Sequence, residues 1–123
     1  MSSNNRILIV DDDPAIVNLL EGVLEDEGYE VRSAVGERAL QIAYDYRPNV
    51  VLLDVMMPNM NGLEWSNRAK SDPLLKDIPI IALSAADNLT LKNTYKDLQA
   101  DSFLSKPFDL DVLVSLVYSL ANR

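Results

Sequence analysis

Four apolar runs in this 123-residue chain each stop at a residue able to handle a metal ion or a phosphoryl group. Arg6-Ile-Leu-Ile-Val10 leads into Asp11-Asp12-Asp13, and Val50-Val-Leu-Leu53 into Asp54. Ile80-Ile-Ala-Leu83 leads into Ser84, and Ser102-Phe-Leu-Ser105 into Lys106-Pro107. Two adjacent carboxylates ~4 Å apart repel by about 4 kcal/mol at an effective dielectric of about 20, and Asp54 on a neighbouring strand adds to this. Protonating one acid or binding a cation relieves the repulsion. A hard divalent ion such as magnesium suits an all-oxygen set of one or two carboxylates, waters and a phosphoryl oxygen. The plainer alternative is that the acids only cap the following helix, although a cap requires just one of them. Asp54 offers a carboxylate nucleophile toward activated phosphorus, or else is a solvent-facing acid at a strand end. Ser84 supplies a hydroxyl donor and Lys106 a flexible cation able to reach Asp54. Pro107 raises the possibility of a cis bond after Lys106.

These residues act together only if the fold collects them. Short apolar runs ending abruptly at polar residues read as buried parallel strands, here 6–10, 29–34, 49–53, 79–83 and 102–105. Segments with helical spacing separate or follow them, at about 14–27, 36–46, 61–70, 88–98 and 109–121. Asp12 or Asp13 can cap the first helix, Pro14 suits its first turn and Gly28 can end it. Asn61 and Glu64 have capping-box spacing, and Asp109 caps the last helix. Alternation along 29–34 suits an edge strand. Strand–helix repetition implies one α/β domain, a parallel sheet with helices on both faces, whose ligands gather at the carboxyl ends of the strands. The polar residues 1–5 are expected to be a disordered lead-in to a domain over 6–123.

Composition narrows the chemistry. Without cysteine there are no disulfides or thiolates, and without histidine no Ser-His or Cys-His catalysis. Any phosphohistidine donor must be another protein. A net charge of −8 and the lack of a basic stripe in the sequence oppose direct nucleic-acid binding. No apolar run approaches the ~18 residues of a membrane span, so a soluble cytoplasmic protein is expected.

Ile7-Leu-Ile-Val-Asp-Asp-Asp-Pro14, Leu53-Asp-Val-Met-Met-Pro58, Ala82-Leu-Ser-Ala85 and Phe103-Leu-Ser-Lys-Pro-Phe108 together resemble the response regulator receiver family over essentially the whole chain. The resemblance implies a doubly wound (βα)5, flavodoxin-like domain with strand order 2-1-3-4-5. It makes Asp54 the phosphoacceptor, served by a histidine kinase or a histidine phosphotransfer protein. It assigns Mg2+ (or Mn2+) to Asp11, Asp12, Asp54 and the backbone carbonyl of Met56, with Asp12 the favoured direct ligand of the acid pair. Ser84 and Lys106 then grip phosphoryl oxygens, and Phe103 occupies the aromatic switch position. The chain would be a two-component phosphorelay switch that catalyses only its own phosphoryl transfer and dephosphorylation.

Three departures stand out. Phe103 lacks a tyrosine hydroxyl, so its rotamer preference rests on packing, and a plain core role stays open. Gln99 replaces a frequent glycine before Ala100-Asp101, implying strain or a different turn. Met56 and Ala86 stand where polar residues in relatives orient an attacking water. The last helical segment, apolar around most of its circumference, implies either a dimerisation or effector-docking patch, shared with 88–98 and strand 102–105, or deep burial. Two other functions compete. An adaptor receiver that signals without phosphorylation usually lacks one of the acids or the lysine, all of which are present here. A haloacid-dehalogenase-type phosphatase would share the D-x-D pattern, but Ala15 and the missing second acidic pair oppose it. Both a free-standing regulator and part of a longer protein remain open.

Met56 and Ala86 predict a long-lived phosphoryl group. Introducing Met56→Asn together with Ala86→Glu should accelerate its loss, followed as decay of the phosphorylated mass; an unchanged decay rate would refute this.

Overall fold

The computed structural model describes residues 5–55, 62–84 and 99–122. Five strands, β1 (Arg6–Val10), β2 (Glu30–Ala34), β3 (Val50–Asp54), β4 (Ile80–Ser84) and β5 (Ser102–Ser105), form one sheet. All neighbours are parallel, in the order β2-β1-β3-β4-β5. Four helices are described: α1 (Pro14–Asp26), α2 (Gly36–Tyr46), α3 (Gly62–Lys70) and α4 (Leu110–Ala121). The predicted helical segment 88–98 and the capping residue Asn61 lie outside the described residues, as do residues 1–4 of the expected lead-in.

The apolar runs become strands because both faces of the sheet are covered. All five residues of β3 and of β4 are buried. On one face Leu8, Val10, Val51, Leu53 and Ile80 pack with α2 and α3 residues, including Ala39, Ala43 and Trp65. On the other, Ile7, Ile9, Val50, Leu52, Ile81 and Leu83 pack with Leu20, Leu24, Leu113 and Val117 of α1 and α4. The strand period of two thus sends alternate side chains into two cores. β2 lies at the edge, as its alternation implied, and only Val31 and Ala34 are partly buried in it.

Of the two acids able to cap α1, Asp13 does so, accepting Ala15 N–H at 3.0 Å. Gly28 takes φ +94° just past the helix, where a side chain would be strained. Asp109 caps α4, accepting from Asp111 and Val112. α4 buries Leu113, Val117 and Ala121. Val112 and Tyr118 are 47% and 65% exposed, so its apolar surplus is not entirely absorbed by the core. Gln99 Nε2 donates to Asn67 Oδ1 at 3.2 Å, and the residues that lead into it lie outside the described residues.

Two residues fix local geometry. Gly62 opens α3 hard against the end of β3: a Cβ there would sit 2.5 Å from Val55 Cα and 3.1 Å from the Asp54 carbonyl oxygen. Tyr46, buried at the end of α2, donates its hydroxyl to the Glu30 carbonyl at 3.0 Å. Burial first, then that hydrogen bond and the Glu30 charge, push its phenol well above the ordinary range.

Gly62→Ala should cost about 1–3 kcal/mol of stability by overpacking, read as a lower denaturant midpoint. Tyr46→Phe should cost about 1 kcal/mol at neutral pH. Because the folded-state pKa is raised, Tyr46's stabilising advantage is full below the unfolded pKa near 10 and fades as pH rises beyond it, so the gap between wild type and variant narrows there in thermal melts.

Candidate functional site

β1 and β3 are direct neighbours, with Val10 paired to Leu53, so the residues that follow them, Asp11 and Asp54, leave the sheet side by side. β4 and β5 continue the row: Asp54 pairs with Leu83, and Ser84 with Ser105. Asp11, Asp54 and Ser84 are therefore held by strands buried on both sides, and the partly buried β5 delivers Lys106 to the same end.

The acids are not equivalent. Asp11 is 4% exposed and Asp54 5%, whereas Asp12 is exposed. Asp11 Oδ1 accepts Asp13 N–H at 2.9 Å, and its Oδ2 receives Lys106 Nζ at 3.1 Å. The same ammonium lies 3.6 Å from Asp54 Oδ2. One carboxylate oxygen from each of Asp11, Asp12 and Asp54 lies within 4.8 Å of the others. With all four groups ionised, three carboxylates face one ammonium, leaving a surplus of two negative charges. An all-oxygen cluster of this size and sign fits a hard divalent cation. Since Asp13 is the helix cap, capping explains neither Asp11 nor Asp12.

Ser84 is 1% exposed at the end of β4. Its carbonyl accepts Lys106 N–H at 2.6 Å, which joins the serine to the lysine through the backbone. The Lys106–Pro107 bond is cis. Phe103 is partly buried on β5 and packs against Val55 and Ala82, behind the pocket. Met56 and Ala86 lie outside the described residues. A groove of about 420 Å³ opens beside Asp11 and Asp12, between Pro14 and Val17 of α1 and Ser33, Ala34 and Val35 at the end of β2. A larger cavity of about 570 Å³ lies at the opposite end of the sheet, beside Lys70 and Asp101, away from these acids.

Thus Asp11, Asp12, Asp54 and Lys106 converge on one pocket, with Ser84 on the adjoining strand end. Two supporting residues escape a motif-based reading. Gly62 permits the close approach of α3 to the Asp54 strand end; its only sequence signal is a glycine in a first helical turn, where propensity disfavours it. Asp101 Oδ2 accepts Ile80 N–H at 2.9 Å and pairs with Lys70 at 3.5 Å, tying the start of β4 to the entry of β5 and the end of α3.

Comparison with known proteins agrees with this geometry. The family model of the response regulator receiver domain matches residues 7–118. RpaA of Synechocystis sp., a DNA-binding dual master transcriptional regulator, is 38% identical over 119 residues, covering 96% of this chain and 49% of RpaA. The response regulator PleD of Caulobacter vibrioides is 41% identical over 118 residues, covering 95% of this chain and 26% of PleD. This chain therefore spans about half the length of the first relative and about a quarter of the second. Among solved structures, Vibrio cholerae chemotaxis protein CheY4 superposes with a TM-score of 0.86 at 32% identity, covering 94% of this chain and 98% of that one. The signal receiver domain of a signal transduction histidine kinase from Syntrophus aciditrophicus gives 0.85 at 32%, covering 96% and 90%. With its motifs, its strand order and its acidic pocket all in place, the chain belongs to the response regulator receiver domain family of two-component signalling.

Proposed function

We propose that this receiver is a switch that accepts a phosphoryl group on Asp54 from the phosphohistidine of a partner histidine kinase or phosphotransfer protein. The observation that carries this is the convergence of Asp11, Asp12 and Asp54 within 4.8 Å, with Lys106 reaching both Asp11 and Asp54. These 123 residues contain no histidine, so the phosphohistidine lies outside this domain. The groove beside Asp11 and Asp12 offers the donor imidazole a path to the pocket.

In the transfer, an Asp54 carboxylate oxygen forms a bond to phosphorus while the phosphorus–nitrogen bond of the donor breaks. The electron pair returns to the donor imidazole, which takes a proton from solvent. Asp11, Asp12 and Asp54 would hold Mg2+ (or Mn2+), joined by the Met56 carbonyl if the family pattern carries over. When bound, the cation offsets the charge of the carboxylates and the phosphoryl oxygens. Lys106, already within reach of Asp54, can turn its ammonium to a phosphoryl oxygen once the carboxylate charge is esterified. The Ser84 hydroxyl would donate to another. Drawing Ser84 inward leaves room behind it, and Phe103, packed on Val55 and Ala82, is the side chain positioned to respond.

The chemistry is confined to the receiver's own phosphorylation and its reversal, with no turned-over substrate. The output surface includes β5 and α4, where Val112 and Tyr118 offer exposed apolar area to an effector or a second copy. No helix among the described residues is long and apolar enough to cross a membrane. We place this domain in the cytoplasm.

Acetyl phosphate with magnesium should add one phosphoryl increment to the intact mass of the wild type, and none to Asp54→Asn or in the presence of excess EDTA. An adduct on both proteins would move the acceptor elsewhere. No adduct on either would favour the phosphorylation-independent adaptor, which the intact residue set argues against.

A further inference from the structure

At the amino end of the sheet, opposite the acidic pocket, positive charge gathers that no run of the sequence announces. Arg6 of β1, Arg32 of β2 and Arg47 just after α2 meet around Tyr46. The Arg32 guanidinium carbon lies 4.2 Å from the centre of the Tyr46 ring and that of Arg6 lies 5.8 Å from it. Arg6 donates from Nε and Nη2 to the Arg47 carbonyl at 3.2 and 3.0 Å, and Arg47 Nε donates to the Tyr44 carbonyl at 2.8 Å. Arg47 holds a left-handed φ of 52°, a conformation uncommon outside glycine and retained when its surroundings fix it. Acids outnumber bases 19 to 11 in this chain. Nevertheless, among the described residues, none of these three arginines has a carboxylate within ion-pair distance. The acids whose charge reaches this corner are Glu30, felt by Tyr46, and Asp72, which accepts the Tyr44 hydroxyl.

The same corner carries an open sheet edge. Among the described residues, β2 pairs only with β1. Glu30 N–H donates inward to the Asn5 carbonyl at 2.7 Å. Successive residues of a strand direct their main-chain groups to opposite sides, so Glu30, Arg32 and Ala34 bond to β1 while Val31 and Ser33 present N–H and C=O outward. Such an edge is a template for another strand unless proline, a bulge or a covering element blunts it. Proline is absent from β2, and its charges are Glu30 and Arg32 alone. A guard charge needs only to be solvated; here Arg32 lies over a buried ring, with a second arginine on the same ring.

We propose that the outer edge of β2, together with Arg32 and Arg6, docks an acidic extended segment of a partner protein as an additional parallel or antiparallel strand. Main-chain bonds to Val31 and Ser33 would supply affinity, and the arginines selectivity. Arg32 lies on the α2 face with Tyr46, whereas Val31 faces the apolar cluster of α1 and α4. The fitting segment therefore alternates acidic and apolar side chains. Guanidinium groups suit carboxylates by bidentate geometry. A nucleic-acid backbone is the poorer match, because a chain of net charge −8 repels a polyanion beyond so small a patch. The arginines lie at the amino end of the sheet, while Ser33 borders the groove beside Asp11 and Asp12.

A short labelled peptide of alternating glutamate and valine tests this on the intact protein, by fluorescence anisotropy and amide NMR. Binding should slow hydrogen exchange at Val31 and Ser33 specifically. Arg32→Gln should weaken it about fivefold, equivalent to about 1 kcal/mol. Ser33→Pro, which removes an outward N–H at an edge where proline is tolerated, should abolish the strand-like protection. Absence of binding overturns the proposal. So do equal binding of a lysine–valine peptide, preference for duplex DNA, or binding that leaves Val31 and Ser33 exchange unchanged. If Ser33→Pro does not fold, the exchange pattern and Arg32→Gln still decide.

Discussion

Repulsion among Asp11, Asp12 and Asp54 is the constraint around which this domain is built. Three carboxylates within 4.8 Å oppose one another, and among the described residues Lys106 is the cation placed between two of them. An isolated loop would relieve such strain by moving apart. Here the acids cannot, because each is anchored to a strand enclosed by two cores and paired in fixed register with its neighbour. Folding free energy drawn from apolar burial thus holds together charges that chemistry can use. The unrelieved negative charge is the standing attraction for a cation, and the cation in turn makes Asp54 approachable by a phosphoryl group.

The lysine connects this electrostatic state to the rest of the fold. Lys106 bonds Ser84 through the backbone while its ammonium spans Asp11 and Asp54, so a change of charge on Asp54 is felt at the junction of β4 and β5. Phe103 and Val55 pack just behind that junction, and Gly62 seats α3 against the end of β3. Asp101 and Lys70 clamp the far ends of the same elements. A local change in charge therefore meets a packed unit with few independent ways to move, which is what a two-state response requires.

Much of this was legible in the sequence because it is encoded by short-range rules. Strands enclosed on both faces must be apolar runs, and their ends must be polar, so the runs before Asp11, Asp54 and Ser84 announce both the sheet and the site. Alternation in Glu30–Ala34 marked the edge. Local chemistry left Asp12 and Asp13 equal as caps; the fold chose Asp13 and left Asp12 at the pocket. What stayed hidden depends on distant residues meeting. The role of Gly62 comes from Val55 pressing on it, and Gln99 finds its hydrogen-bond partner in Asn67 of α3. Arg6, Arg32 and Arg47 are too far apart in the chain to read as a basic stripe, and only the position of Tyr46 brings them together.

The shared-cation site can be tested without any phosphodonor. Unfolding midpoints in denaturant, measured with and without saturating magnesium, compare the wild type with Asp12→Asn, an exposed substitution that leaves the core intact. At a magnesium concentration about a hundred times the dissociation constant, the wild type should gain about 2.7 kcal/mol, and Asp12→Asn much less. Equal gains in both proteins, or none in the wild type, would contradict a cation held jointly by these strand ends.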